Sequence, residues 1–201
     1  MKIFVSILIV ALIVIFTFAQ NTEIETIPVE HVVMPQVIVI KTTDDKIKKL
    51  DALIQKTNVS IIDVVHNAKD KKEIECLAKN VFHEARNQPT VGKVAVAYVV
   101  LTRVKDDETS VCKVVYKKHQ FSWVGHVKKR KHNVIEDKAW TEALSIAYLA
   151  INNKVEDPTN GAAVYYNPKK AHPYWGRMMT RIKTAYSEDG YIGDHLFGNL
   201  N

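Results

Sequence analysis

The chain has 201 residues, 47% of them hydrophobic and 25% charged, with a formal net charge of +6. That balance excludes a low-complexity chain and fits one folded domain with appendages. Its two cysteines, Cys76 and Cys112, form no CxxC pair, which argues against a cysteine-based zinc site.

Residues 1–20, MKIFVSILIVALIVIFTFAQ, place Lys2 before a mostly apolar run from Ile3 to Phe16, followed by Thr17-Phe18-Ala19. This resembles a secretory signal peptide, either cleaved or kept as an anchor through residues 3–19. Either outcome puts the rest of the chain outside the cytosol, where Cys76 and Cys112 could pair. Residues 21–71 read as a tether, with Pro28 and Pro35 interrupting it and VIVIK (37–41) partly extended. Within it, Ile47, Leu50, Leu53 and Ile54 recur at helical spacing, as do Ile61, Ile62, Val64 and Val65 less cleanly.

From Lys72 the pattern strengthens into a domain expected over 72–201. Ile74, Leu77, Val81, Phe82 and Ala85 define one helix face. Asn87-Gln88-Pro89 stops that helix, because proline disfavours helical geometry in the residue before it. Thr90 is a candidate N-cap for a second helix, from about Gly92 to Val104, whose VAVAYVVL run (94–101) has no polar face and must be surrounded. A third long helix is expected to start at Asn133–Lys138, with Ala139, Trp140, Ala143, Leu144, Ala147, Tyr148 and Ile151 as its stripe. Asp157 to Gly161 is a turn by composition. Strands follow at 162–167 and 182–186, with a further short element over 191–197.

One carboxylate stands out. Glu84, in VFHEARN, lies among apolar neighbours, where desolvation raises a carboxyl pKa and makes a proton donor at neutral pH. Its bland alternative is a surface Glu paired with Arg86 or Lys79. His83-Glu84 suggests the zinc motif HExxH, but position 87 is Asn, so the i, i+4 histidine pair is missing. No GxSxG surrounds Ser122. Phe121, Trp123, Tyr165, Tyr166, Tyr174, Trp175 and Tyr191 gather after the first helices, and aromatic faces suit sugar rings, although any one of them could simply fill the core. The cluster Lys128, Lys129, Arg130 and Lys131 reads as a solvated face.

CLAKNVFHEARNQPTVGKVAVAYVVLTRV, VCKVVYKKHQFSW, AWTEALSIAYLAI, DPTNGAAVYYNPKKA and RIKTAYSEDGYIGDHLFGN occur in this order and together resemble the SleB/CwlJ-type cell-wall hydrolase family, over roughly Glu75 to Asn199. The resemblance implies an α+β, goose-lysozyme-like domain, mainly helical with a small C-terminal antiparallel β-meander. It implies cleavage of peptidoglycan between N-acetylmuramic acid and N-acetylglucosamine, with Glu84 as catalytic acid and no metal or cofactor. Gln120, Phe121, Ser122, Trp123, Tyr165, Tyr166, Asn167 and His195 are expected to line the groove. A Cys76–Cys112 disulfide would tie the Glu84 helix to the QFSW segment. The expected protein is an exported monomer whose partner is peptidoglycan and not nucleic acid. Lytic transglycosylation is the expected chemistry. Muramidase-type hydrolysis, a zinc-dependent amidase and a non-catalytic wall-binding protein are the competing readings.

Overall fold

The computed structural model describes residues 35–127, 138–184 and 186–200. The signal-like segment 1–20, the first part of the tether and the basic run 128–131 lie outside the described residues. The fold belongs to the unit Ile38–Asn201. It runs as helices α1 (Pro35–Asn58), α2 (Ile61–His66), α3 (Lys71–Ala85), α4 (Thr90–Asp106), α5 (Val111–Val115), α6 (Val124–Val127) and α7 (Lys138–Ile151). Strands β1 (Val164–Tyr166), β2 (Met179–Arg181), β3 (Tyr191–Ile192) and β4 (His195–Leu200) follow, with a 3-10 turn at Tyr174–Arg177 before β2.

Helices α1 and α2 carry the residues read at helical spacing within 47–65, and only the extended reading of VIVIK changes. VIVIK is helical within α1, not extended. A lone β-branched run without a partner strand leaves its N–H and C=O groups unpaired, and a helix satisfies them locally. Ile54, Ile61 and Val65 are buried in the same core as α3 and α7, so the packed structure draws on residues before 72.

Helix α3 buries Ile74, Leu77, Ala78, Val81, Phe82 and Ala85, the expected face, against α4, α5 and α7. Full burial of Leu77 or Val81 is worth about 1.5–3 kcal/mol each before the entropy of ordering is subtracted. Helix α4 explains its own lack of a polar face. Val94, Ala97 and Val100 enter the helical core. Ala95, Val96 and Val99 enter a second core with Ala85, Ile192 and Phe197, between helix and sheet. Thr90 is the first helical residue of α4; Pro89 holds the cap position, and no side chain caps it. Lys93 also pairs with Glu142 at 2.7 Å, joining α4 to α7 in a largely shielded position.

Two turns set up the sheet. Asn153 takes a left-handed φ of 52° and ends α7, while Lys154 N–H donates to Leu149 O at 2.8 Å. Asp157 then accepts from Thr159 N–H and Thr159 Oγ1, both at 2.7 Å, and from Gly161 N–H at 2.8 Å. The small antiparallel sheet follows as expected, but its strands meet on β4 instead of pairing in chain order. β4 lies between β1 and β2 and also pairs with β3. The strand expected at 182–186 is displaced: β2 pairs Met179 with Leu200 and Arg181 with Gly198, and only an isolated Thr184–Ser187 bridge falls in the expected range. No helix among the described residues is long and apolar enough to cross a membrane.

Candidate active site

A cleft of about 810 Å³ opens between the helices and the sheet. The end of α3 contributes His83 and Glu84, and α4 contributes Arg103. The segment before α6 contributes Gln120, Phe121, Ser122 and Trp123. On the sheet side stand Tyr165 and Tyr166 of β1, Asn167 just after it, and His195 of β4. Glu84 and all eight groove residues expected from the sequence therefore share one cavity. Phe121 and Trp123 serve the core as well, being only 8% exposed each.

Glu84 is the only carboxylate that lines this cleft among the described residues. Burial raises its pKa above the ordinary 4.5, opposed by a hydrogen bond from Tyr165 and by the charge of Arg103. Tyr165 Oη donates to Glu84 Oε2 at 3.3 Å. Burial, followed by the negative charge of Glu84, holds the Tyr165 phenol well above its own ordinary range, so it remains a donor. The ring of Tyr165 is fixed edge-on to His195 at 5.1 Å and lies over Phe197 at 5.6 Å. His195 is 7% exposed, and burial lowers its pKa, favouring the neutral imidazole.

Several members of the site escaped the sequence reading. Arg103 is the cation facing Glu84; its Nε donates to Ala163 O at 2.6 Å, and its guanidinium lies 5.7 Å from the Phe121 ring centroid. A charge near the end of an otherwise apolar helix was the available signal. Asn80, fully buried, accepts from Trp123 Nε1 at 3.3 Å, and His83 stacks on the Trp123 ring at 4.5 Å. The Trp123 wall is thereby held from two sides. Gln88 bridges to the β3–β4 turn, accepting from Asp194 N–H at 2.9 Å and donating to Asp194 Oδ2 at 3.3 Å. Asp194 itself pairs with Lys169 at 3.0 Å, so the carboxylate next in sequence to His195 is already engaged.

The sulfur atoms of Cys76 and Cys112 lie at bonding distance, 2.05 Å, and join α3 to α5. Among the described residues no three His, Cys, Asp or Glu side chains are grouped to hold a metal ion. What the cleft offers chemically is one carboxyl tuned toward its protonated form, a phenol that orients it, a nearby cation, and aromatic walls with polar edges.

Comparison with known proteins places this geometry. A family model described as Cell Wall Hydrolase matches residues 87–197, which takes in Arg103, the 120–123 segment and the sheet; Glu84 stands three residues before it. The spore cortex-lytic enzyme of Halalkalibacterium halodurans is 29% identical over 151 residues, 74% of this chain and 41% of that protein. The spore cortex-lytic enzyme of Bacillus cereus is 28% identical over 137 residues, 66% of this chain and 46% of that protein. The chain thus spans less than half the length of these two relatives. The solved catalytic domain of the Bacillus cereus SleB protein matches with a TM-score of 0.50 and 29% identity, over 66% of this chain and 93% of that one. The catalytic domain of the germination-specific lytic transglycosylase SleB from Bacillus anthracis matches with a TM-score of 0.52 and 28% identity, over 66% of this chain and 98% of that one. The fold is accordingly lysozyme-like, mainly helical with a small antiparallel sheet.

Proposed function

The chain belongs to the cell wall hydrolase family, and on that premise we propose that it degrades peptidoglycan by cutting between N-acetylmuramic acid and N-acetylglucosamine as a lytic transglycosylase. The observation that carries this reading is the solitary carboxyl. Glu84 lines the cleft with no second Asp or Glu beside it among the described residues. Hydrolysis by two carboxylates needs the second one across the scissile bond, about 5–9.5 Å away.

One carboxyl suffices for the alternative. Glu84, protonated, gives its proton to the glycosidic oxygen, and the bond from that oxygen to the muramoyl C1 breaks. The resulting Glu84 carboxylate removes the proton from the muramoyl C6 hydroxyl, whose oxygen closes on C1 to give a 1,6-anhydro ring. Glu84 ends protonated again, and no water is consumed. Tyr165 orients the carboxyl through both steps, and Arg103 steadies its ionised form between them. Substrate sugars would lie against Trp123, Tyr166 and Trp175, with Gln120 and Asn167 bonding their rims.

The test is mass spectrometry of purified peptidoglycan after digestion. Anhydro-muramoyl ends are expected. Reducing ends would replace transglycosylation by muramidase-type hydrolysis, and peptides released from uncut glycan would indicate an amidase. A Glu84→Gln chain is expected to lose activity by at least about 10²-fold, the lower end for a general acid. Undiminished activity would remove Glu84 from its role.

A further inference from the structure

The loop between β1 and β2 carries a second cavity, of about 540 Å³, lined by Tyr166, His172, Pro173, Tyr174, Gly176 and Arg177. Two of these residues, Tyr166 and Pro173, also line the catalytic cleft, so the two spaces adjoin across a common wall. The 3-10 turn divides its aromatics between them: Trp175 faces the cleft and Tyr174 faces the second cavity. We propose that this cavity is a separate sugar subsite, which holds the next N-acetylhexosamine of the strand being cut and lets the protein favour long glycans over short ones. The proposal rests on the glycan-cutting reading of the cleft and adds a substrate-length preference to it.

The shared wall is built to be stiff. Trp175 meets Tyr166 edge-to-face at 5.5 Å, with ring planes at 85°. A Cβ on Gly176 would lie 3.4 Å from the Tyr166 ring, so the turn's backbone already rests against that ring. Tyr166 is thus contacted by both the Trp175 ring and the backbone at Gly176, which fixes the spacing between the two cavities. A polymer of repeated rings needs such a fixed spacing, and a single small ligand does not.

The lining has the chemistry of a sugar site. Tyr174 is 85% exposed and contributes nothing to either core, yet it presents a flat apolar face with a polar edge. Met178, 57% exposed, extends the apolar surface of the same turn. The side chains of Arg177 and His172 form no ion pair or hydrogen bond among the described residues, leaving their N–H groups for hydroxyl and acetamido oxygens. The volume lies within the range of about 300–1,000 Å³ usual for small-molecule sites.

The experiment uses the full chain and defined peptidoglycan glycans, a tetrasaccharide and long strands, and reads KM and kcat for each. Wild type is expected to favour long strands. Tyr174→Ala is expected to raise KM for long strands about three- to tenfold, the scale of one lost aromatic stack, with kcat unchanged, and so to erase most of the preference. Tyr174→Phe, which keeps the face, is expected to retain it. Because Tyr174 is exposed, Tyr174→Ala should melt at the wild-type temperature. Equal KM values for wild type and Tyr174→Ala on long strands would overturn the subsite, as would an equal loss on both substrates. If wild type cut neither glycan, the reading of the cleft would fall, and this proposal with it. A wild type that cuts while the variant keeps the length preference would sink the subsite alone.

Discussion

Tyr165 Oη donates a 3.3 Å hydrogen bond to Glu84 Oε2, joining the sheet to the end of α3 across 81 residues of sequence. That bond lowers the Glu84 pKa against the larger upward effect of burial. Tyr165→Phe should therefore let the pKa of Glu84 rise further. In the proposed mechanism activity needs the protonated acid, so it should fall as pH rises through that pKa, and in the variant the falling limb should move to higher pH. The lost orientation should also cost about tenfold in kcat/KM, the scale of one net hydrogen bond. A pH–rate profile of wild type and variant checks both; an unmoved limb would separate Tyr165 from the acid.

Glu84→Gln makes a second prediction, about stability. Because the folded-state pKa of Glu84 is raised, its ionised form is disfavoured in the fold relative to the unfolded chain. The resulting penalty is absent below the ordinary value of 4.5 and complete above the folded value. Gln keeps the acceptor for Tyr165 and removes the charge. The variant should melt above wild type at pH 7 and converge with it near pH 4 in thermal unfolding followed by circular dichroism. A variant that melted lower at pH 7 would contradict the burial effect.

At Gly198 the space is tighter than any side chain permits. A Cβ there would lie 2.4 Å from Thr180 O and 2.7 Å from Met179 Cγ, both in the β2 segment paired with β4. Gly198→Ala should cost about 1–3 kcal/mol through overpacking. Chemical denaturation would show it as a lowered midpoint.

How much of this was legible beforehand depended on whether the signal was local. Helices α3 and α4 announced themselves because their apolar periodicity is a local property. The nine cleft residues fell on ordered motifs, and the structure brings them to one cavity. What stayed hidden needed long-range pairing. The position of β2 is set by its register on β4 and not by its own three residues. Gln88 looked like part of a helix stop, and only folding brings it to Asp194. Arg103 read as the ordinary end of an apolar helix until α4 was laid beside β1. The β-branched VIVIK misled because strand preference has no force without a partner strand.

The Cys76–Cys112 link supplies a further test. It would close a loop of 36 residues, worth about 3–4 kcal/mol in the chain-entropy account. Reduction under native conditions, or the double change Cys76→Ala with Cys112→Ala, should lower the melting temperature by several degrees. Mass measurement before and after alkylation would show whether the thiols are linked. Free thiols in the purified protein would remove the link.

The place of β4 in the sheet bears on how the protein is made. β1, β2 and β3 each pair with β4 and not with one another. Until residues 195–200 leave the ribosome, none of the other three strands has a partner, and Tyr165 has no sheet to hold it beside Glu84. A chain stopped by early termination or trimmed before residue 195 would keep its helices but lack the far wall of the cleft. The cleft is therefore completed by the last strand to be made.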